Sequence, residues 1–286
     1  MFRSGNPSLR KDTFKKSTPS FYKEKMSAVS TNKAPSSGDF IDVSDSSASN
    51  SSAKSNVMTI NGTVNKISIL LGITILTAAF SWMQTAAGAS PIGFMLGGAA
   101  GGLIVALIII FKQHLAPALA WLYAAFQGLM LGAISMLYEL MAQANPNMPS
   151  GIAFQACLLT FAILGALLFA YKTKIIKVTE NFKLGVAAAT GGIFIFYMVS
   201  MVIGFFGVAV PVLNPLNGSL FSIGFSVVVV VIAALNLVMD FDFIEEGVKM
   251  EAPKYMEWYG AFGLLMTLVW LYLEILRLLS KLYNRN

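Results

Sequence analysis

Two carboxylates stand where an ionised side chain is costly. Asp240 lies in AALNLVMDFDFIEEG (residues 233–247) and Glu274 in LVWLYLEILRLL (residues 268–279). Both stretches are apolar enough to enter a bilayer, where an ionised acid costs roughly 3 kcal/mol on insertion scales. An acid kept in such a place can hold a proton or offer hard oxygen ligands to a cation. The expectation is that the two acids meet inside a helix bundle and control proton-sensitive cation passage. Spacing supports a shared seam. At about 100° per residue, Ser222, Ser226, Asn236 and Asp240 fall within an arc of about 80° on one helix, and Asp242 points to the opposite side. On the next helix Gly260, Gly263, Thr267, Glu274 and Lys281 make a comparable stripe, with small residues that let a neighbour approach closely. Plainer readings stand beside these. Glu274 can pair with Arg277 one turn on, Asp240 can be an interfacial acid that sees solvent, and Glu139 reads as an interface residue near a helix end.

The elements that must position these residues follow from hydropathy. The chain has 286 residues, of which 56% are hydrophobic and only 12% charged, with a mean hydropathy of +0.69. That is the composition of an integral membrane protein. From residue 67 onward seven apolar runs follow, at about 67–87, 92–111, 118–141, 152–171, 185–210, 220–242 and 261–281. Each is near the ~20 residues a helix needs to cross the hydrocarbon. The run 227–231 is all valine and would favour a strand in water, but a lone strand in lipid leaves its backbone unpaired, so a helix is expected there. The fold class expected is an all-α membrane protein: a seven-transmembrane-helix bundle over residues 61–286, preceded by a disordered, serine-rich polar tail over residues 1–60. Asp12, Glu24, Asp39, Asp42 and Asp45 argue against reading that tail as a transit peptide.

The net charge of +6 does not indicate nucleic acid, because the basic residues sit in the tail and between apolar runs. Ten Lys and Arg precede the first span, Lys112 follows the second, Lys172, Lys174, Lys177 and Lys183 follow the fourth, and Lys249 and Lys254 follow the sixth. The loops after spans one, three and five have none, which places the N-terminus in the cytoplasm. Arg277, Lys281 and Arg285 fall on the far side, against that rule: either the last span re-enters or these charges snorkel toward water, and snorkelling is the expectation. One cysteine, Cys157, and one histidine, His114, leave no disulfide and little room for a thiolate cluster or a Ser-His-Asp triad. No cofactor and no enzymatic activity are expected; an aspartyl protease would need a glycine-containing motif beside the second acid, which the chain lacks.

At these same residues the chain resembles the Bax inhibitor family, also called transmembrane Bax-inhibitor-motif proteins, and especially its bacterial YccA-like branch. LYLEILRLL is similar to the family's last-helix motif, VMDFDFIEEG to that of the penultimate helix, and FQGLMLGAIS (residues 126–135) to that of the third. The likeness covers roughly residues 60–286. Glutamate stands at 274 where the family has aspartate, and Met239 where it has tyrosine. The loop after the sixth span reads about ten residues longer than the family's, with Glu245, Glu246, Glu251 and Glu257 in it. The resemblance implies a seven-helix bundle with the last helix central, in a bacterial plasma membrane. It also implies a calcium leak gated by protons at Asp240 and Glu274, with Lys112 as the nearest candidate for the basic residue that contacts the pair.

On that reading the acids share a proton, latch helix seven to helix six, and part on deprotonation to expose a transient calcium site with the Asn236 carbonyl and waters. Partners would be the bilayer, protons and calcium. The alternative is a non-conducting membrane protein that modulates a membrane protease or stress-response complex through its tail and its Glu-rich loop.

Overall fold

The computed structural model describes residues 56–146, 148–208 and 210–285. The expected disordered tail lies almost wholly outside them. Seven helices follow: α1 Ile60–Ala86, α2 Pro91–Phe111, α3 Ala116–Ala144, α4 Ile152–Lys172, α5 Glu180–Phe205, α6 Leu220–Lys249 and α7 Met256–Tyr283. All seven are long and apolar enough to cross a membrane, and the valine run is helical within α6. Ile75, Leu76, Leu96, Phe154, Phe194 and Phe221 are among many large apolar side chains on the outside. A surface so apolar belongs against lipid, and the chain is a multi-pass membrane protein.

The helices outrun the apolar runs that announced them. α1 begins at Ile60, where Thr59 caps it by accepting from Gly62 N. α5 is capped in the same way by Thr179, and α6 by Ser219. Hydropathy falls where polar residues begin, but backbone hydrogen bonding continues into the interface until a cap or a turn stops it. α6 therefore runs past Asp242 to Lys249, held there by Lys249–Glu245 one turn apart at 2.6 Å. The long Glu-rich loop expected between helices six and seven shrinks to residues 250–255, with Glu245 and Glu246 in α6 and Glu257 in α7. α5 ends earlier than its apolar run, at Phe205, and Gly207 takes a φ of 80° just beyond.

α7 is the central helix. Leu264, Leu268, Leu271 and Ile275 join the apolar cluster of α4 and α6, and Ala261, Phe262, Leu265 and Val269 join that of α1, α2 and α3. The α1–α3 pair is the closest in the bundle, because a Cβ at Gly128 would overlap Thr74 O and one at Gly132 would overlap Ala78 O. α2 packs mainly on α3, through Gly98, Gly101 and Gly102 against Phe126, Gln127 and Met130, and its Phe94 meets Phe80 of α1 edge to face. Ahead of α1, residues 56–58 pair with the α6–α7 turn, Met58 N donating to Ala252 O at 2.7 Å and Lys254 N to Asn56 O at 3.0 Å.

Candidate functional site

α6 and α7 run antiparallel, and their register decides which polar groups meet. At the end of α7 away from residues 56–58, Lys281 is fully buried against the start of α6. Its ammonium donates to Val212 O at 2.6 Å, to Ser226 Oγ at 2.8 Å and to Ser222 O at 3.3 Å. Toward the other end, the Thr267 side chain of α7 lies against Asp240. Asp240 Oδ2 is buried with no hydrogen-bond partner.

In that register the residue opposite Glu274 is Ala233, seven positions from Asp240, or two turns and about 10 Å along the helix. The structure therefore does not bring Asp240 and Glu274 together, and a direct carboxyl–carboxyl latch has no geometry here. Glu274 looks toward α5 instead. It accepts from Tyr197 at 2.8 Å and from Arg277 Nη1 at 3.0 Å on each oxygen, and Arg277 also donates to the Tyr197 oxygen at 3.0 Å and lies over its ring. The local Glu274–Arg277 pair is the arrangement formed. A buried carboxylate needs a partner of opposite charge more than it needs a second acid.

Asn236 turns away from the seam as well, its amide donating to Thr190 of α5 at 2.7 Å and to Ile232 O at 2.8 Å. Lys112 is exposed at the C-terminal end of α2, which has no packed interface with α6 or α7, so it does not reach the acids. Lys281 does not snorkel to water, because the turn before α6 and the first residues of α6 offer oxygens to its ammonium. Arg277 is half-buried, and Glu274 takes its guanidinium.

Two further acids have defined places. Asp242 points to the opposite side from Asp240, as its spacing requires, and pairs with Lys183 of α5 at 2.8 Å. Glu139 is buried, its Oε1 accepting from Gly151 N at 2.6 Å where α4 begins, the end of a helix that favours negative charge. Its Oε2 has no partner.

Sequence reasoning missed Glu257 as a buried group. It is fully enclosed and accepts from Thr59 N at 3.0 Å, Thr59 Oγ1 at 2.9 Å and Lys66 at 2.6 Å, with Lys254 at 3.2 Å. A Cβ at Gly62 would overlap its carboxylate. The one signal for this clasp was Lys66 at the threshold of the first apolar run, an ammonium in need of a counter-charge.

Among the described residues no three His, Cys, Asp or Glu converge as a metal site. The seam can nevertheless present oxygens singly: the Asp240 carboxylate, the Thr267 hydroxyl, and the carbonyls and hydroxyl that now hold Lys281. No curated protein and no solved structure matched the chain. A family description, "Bax inhibitor 1 like", matches residues 6–284, taking in most of the serine-rich stretch along with all seven helices. The chain belongs to the Bax inhibitor 1 like family.

Proposed function

We propose that the chain provides a proton-sensitive leak for calcium or other cations along the α6–α7 seam, with Asp240 as the residue that controls it. The observation that carries this reading is the buried, partnerless Asp240 Oδ2. Desolvating a carboxylate oxygen and leaving it without a donor is unfavourable. An oxygen so placed either carries a proton or takes a cation, and those two states are what a proton-sensitive cation path must exchange. Glu274 is already committed to Arg277 and Tyr197, so the switching role falls to one acid, and Glu274 holds α7 to α5.

The far end of the seam supports a closed state in the same terms. The oxygens of Val212, Ser222 and Ser226 are occupied by the Lys281 ammonium at 2.6–3.3 Å, as a passing cation would be. Conduction would require Lys281 to withdraw and each oxygen to hold its ion weakly.

The test is calcium efflux from vesicles containing the purified full chain, followed with a trapped indicator from mildly acid to mildly alkaline pH. Wild type should leak with a marked pH dependence, and Asp240→Asn should flatten it. Flux that is absent in the wild type, or the same in wild type and variant at every pH, would sink the proposal.

A further inference from the structure

α1 and α4 have no packed interface; α7 lies behind the space between them. Two cavities occupy that space, one above the other. The smaller one, about 430 Å³, is walled by Ile75, Ala79 and Trp82 of α1 and by Cys157 and Phe161 of α4, with Leu265 and Leu268 of α7 as its floor. The second, about 960 Å³, continues toward the lysine-rich end between Ile60, Val64 and Ile67 of α1 and Leu164 and Leu168 of α4, with Leu264 beneath. From Ile60 to Met83 the α1 wall is about 35 Å long at about 1.5 Å per residue, comparable to the hydrocarbon thickness of a bilayer. Val64 and Leu168 are each about half exposed on facing walls. The result is a laterally open, apolar cleft, long enough to take an acyl chain from either side.

Its mouth at the lysine-rich end is charged, and unevenly so. Lys172, Lys174, Lys177 and Lys249 line it against two acids, Asp242 and Glu245. Both acids are already matched, Asp242 to Lys183 at 2.8 Å and Glu245 to Lys249 at 2.6 Å. Lys172, Lys174 and Lys177 are exposed and form no ion pair among the described residues. Lys174 also holds a φ of 60°, a left-handed conformation that glycine would adopt without strain. Membrane topology alone asks only for positive charge on the loop. It does not require three ammonium groups outside any ion pair, Lys174 acting on Glu245 only at longer range, around the opening of an apolar cleft.

We propose that this cleft is a binding site for an anionic phospholipid, its phosphate held by Lys172, Lys174 and Lys177 and its acyl chain laid between α1 and α4 over Leu264 and Leu265. Charge complementarity selects the headgroup and the cleft selects the chain; basic recesses between membrane helices take anionic headgroups in this way. Asp240, Thr267 and Lys281 do not line it, so the site does not depend on the leak proposed along the α6–α7 seam.

Electron spin resonance on the full chain in phosphatidylcholine vesicles tests it, with spin-labelled phosphatidylglycerol or phosphatidylcholine as the probe. Wild type should prefer the phosphatidylglycerol probe by at least about fivefold, the effect of about one lysine near a membrane surface. The K172Q/K174Q/K177Q variant should lose that preference, and Lys112→Gln, which removes an exposed lysine elsewhere, should keep it. Leu168→Trp adds bulk to a lipid-facing wall without changing charge and should reduce immobilised lipid of both kinds. No preference in the wild type, an equal loss with Lys112→Gln, or a Leu168→Trp variant that binds as wild type would each overturn the assignment. The last two would reduce it to general surface attraction.

Discussion

Changing Gly62 to alanine places a methyl group where the Glu257 carboxylate lies. The carboxylate is the end of a flexible side chain and could in principle step aside, but it is fully enclosed and held by Thr59 N, Thr59 Oγ1 and Lys66. Hydrogen bonds to a buried charge contribute about 1.5–3 kcal/mol each. Moving the group forfeits at least two of them, and the preference of helices for alanine over glycine returns at most about 1 kcal/mol. A net loss of about 3 kcal/mol is expected. Gly72, ten positions on in the same helix, has no neighbour within 4 Å of the place a methyl group would take, so Gly72→Ala should be neutral or stabilising by up to about 1 kcal/mol. Unfolding in detergent, followed by circular dichroism, compares two identical chemical changes in one helix. Adding Gly62→Ala to a Glu257→Ala background should cost little, because the space is then vacant. If Gly62→Ala is as stable as Gly72→Ala, or costs the same with and without Glu257, the clasp does not carry the energy assigned to it.

Other expectations follow from the same contacts. Gly132→Ala meets the rigid backbone at Ala78, and should destabilise by about 1–3 kcal/mol through overpacking, read by the same unfolding assay. Tyr197→Phe removes one hydroxyl from the Glu274–Arg277 pair and should cost about 1 kcal/mol. Arg277→Gln strands a buried carboxylate and should cost about 3–5 kcal/mol; equal costs would contradict the ion pair as the main link. Lys281→Met frees the oxygens at the far end of the seam, and calcium efflux from vesicles should rise while helix content is kept. Unchanged flux would reject Lys281 as the closure.

The bundle was legible because lipid permits so few alternatives. Seven apolar runs of spanning length had to be helices, and Pro, Gly and Lys between them marked the breaks. Helix ends were less legible, since capping by Thr59 and Thr179 starts α1 and α5 within residues that hydropathy scores as loop, and α6 runs on past its apolar stretch to Lys249. Local pairings survived translation into three dimensions, as Glu274 with Arg277 and Asp242 facing away from Asp240 both show. Pairings across helices did not, because spacing along one helix gives the face of a side chain and not its height against a neighbour. The height here is fixed by Lys281 meeting Ser226 and by Thr267 meeting Asp240. It sets Glu274 two turns away from the acid it was expected to join. Glu257 was out of reach for a different reason: its partner Lys66 is 191 residues distant in the chain.

That distance bears on how the protein is made. Lys66 and Thr59 enter the membrane region with the first helix, and the acid that satisfies them arrives only with the seventh. Until then the first helix must keep its ammonium at the aqueous boundary, where it stays hydrated, while α1 and α3 dock through Gly128 and Gly132. Closing Glu257 over Thr59 and Lys66 joins the first helix to the last, so this contact can form only after the last helix has been inserted. A chain interrupted before residue 257 would hold its first six helices and lack that closure. Such an unfinished bundle leaves a charged helix start uncovered, its ammonium without the carboxylate that encloses it in the completed protein.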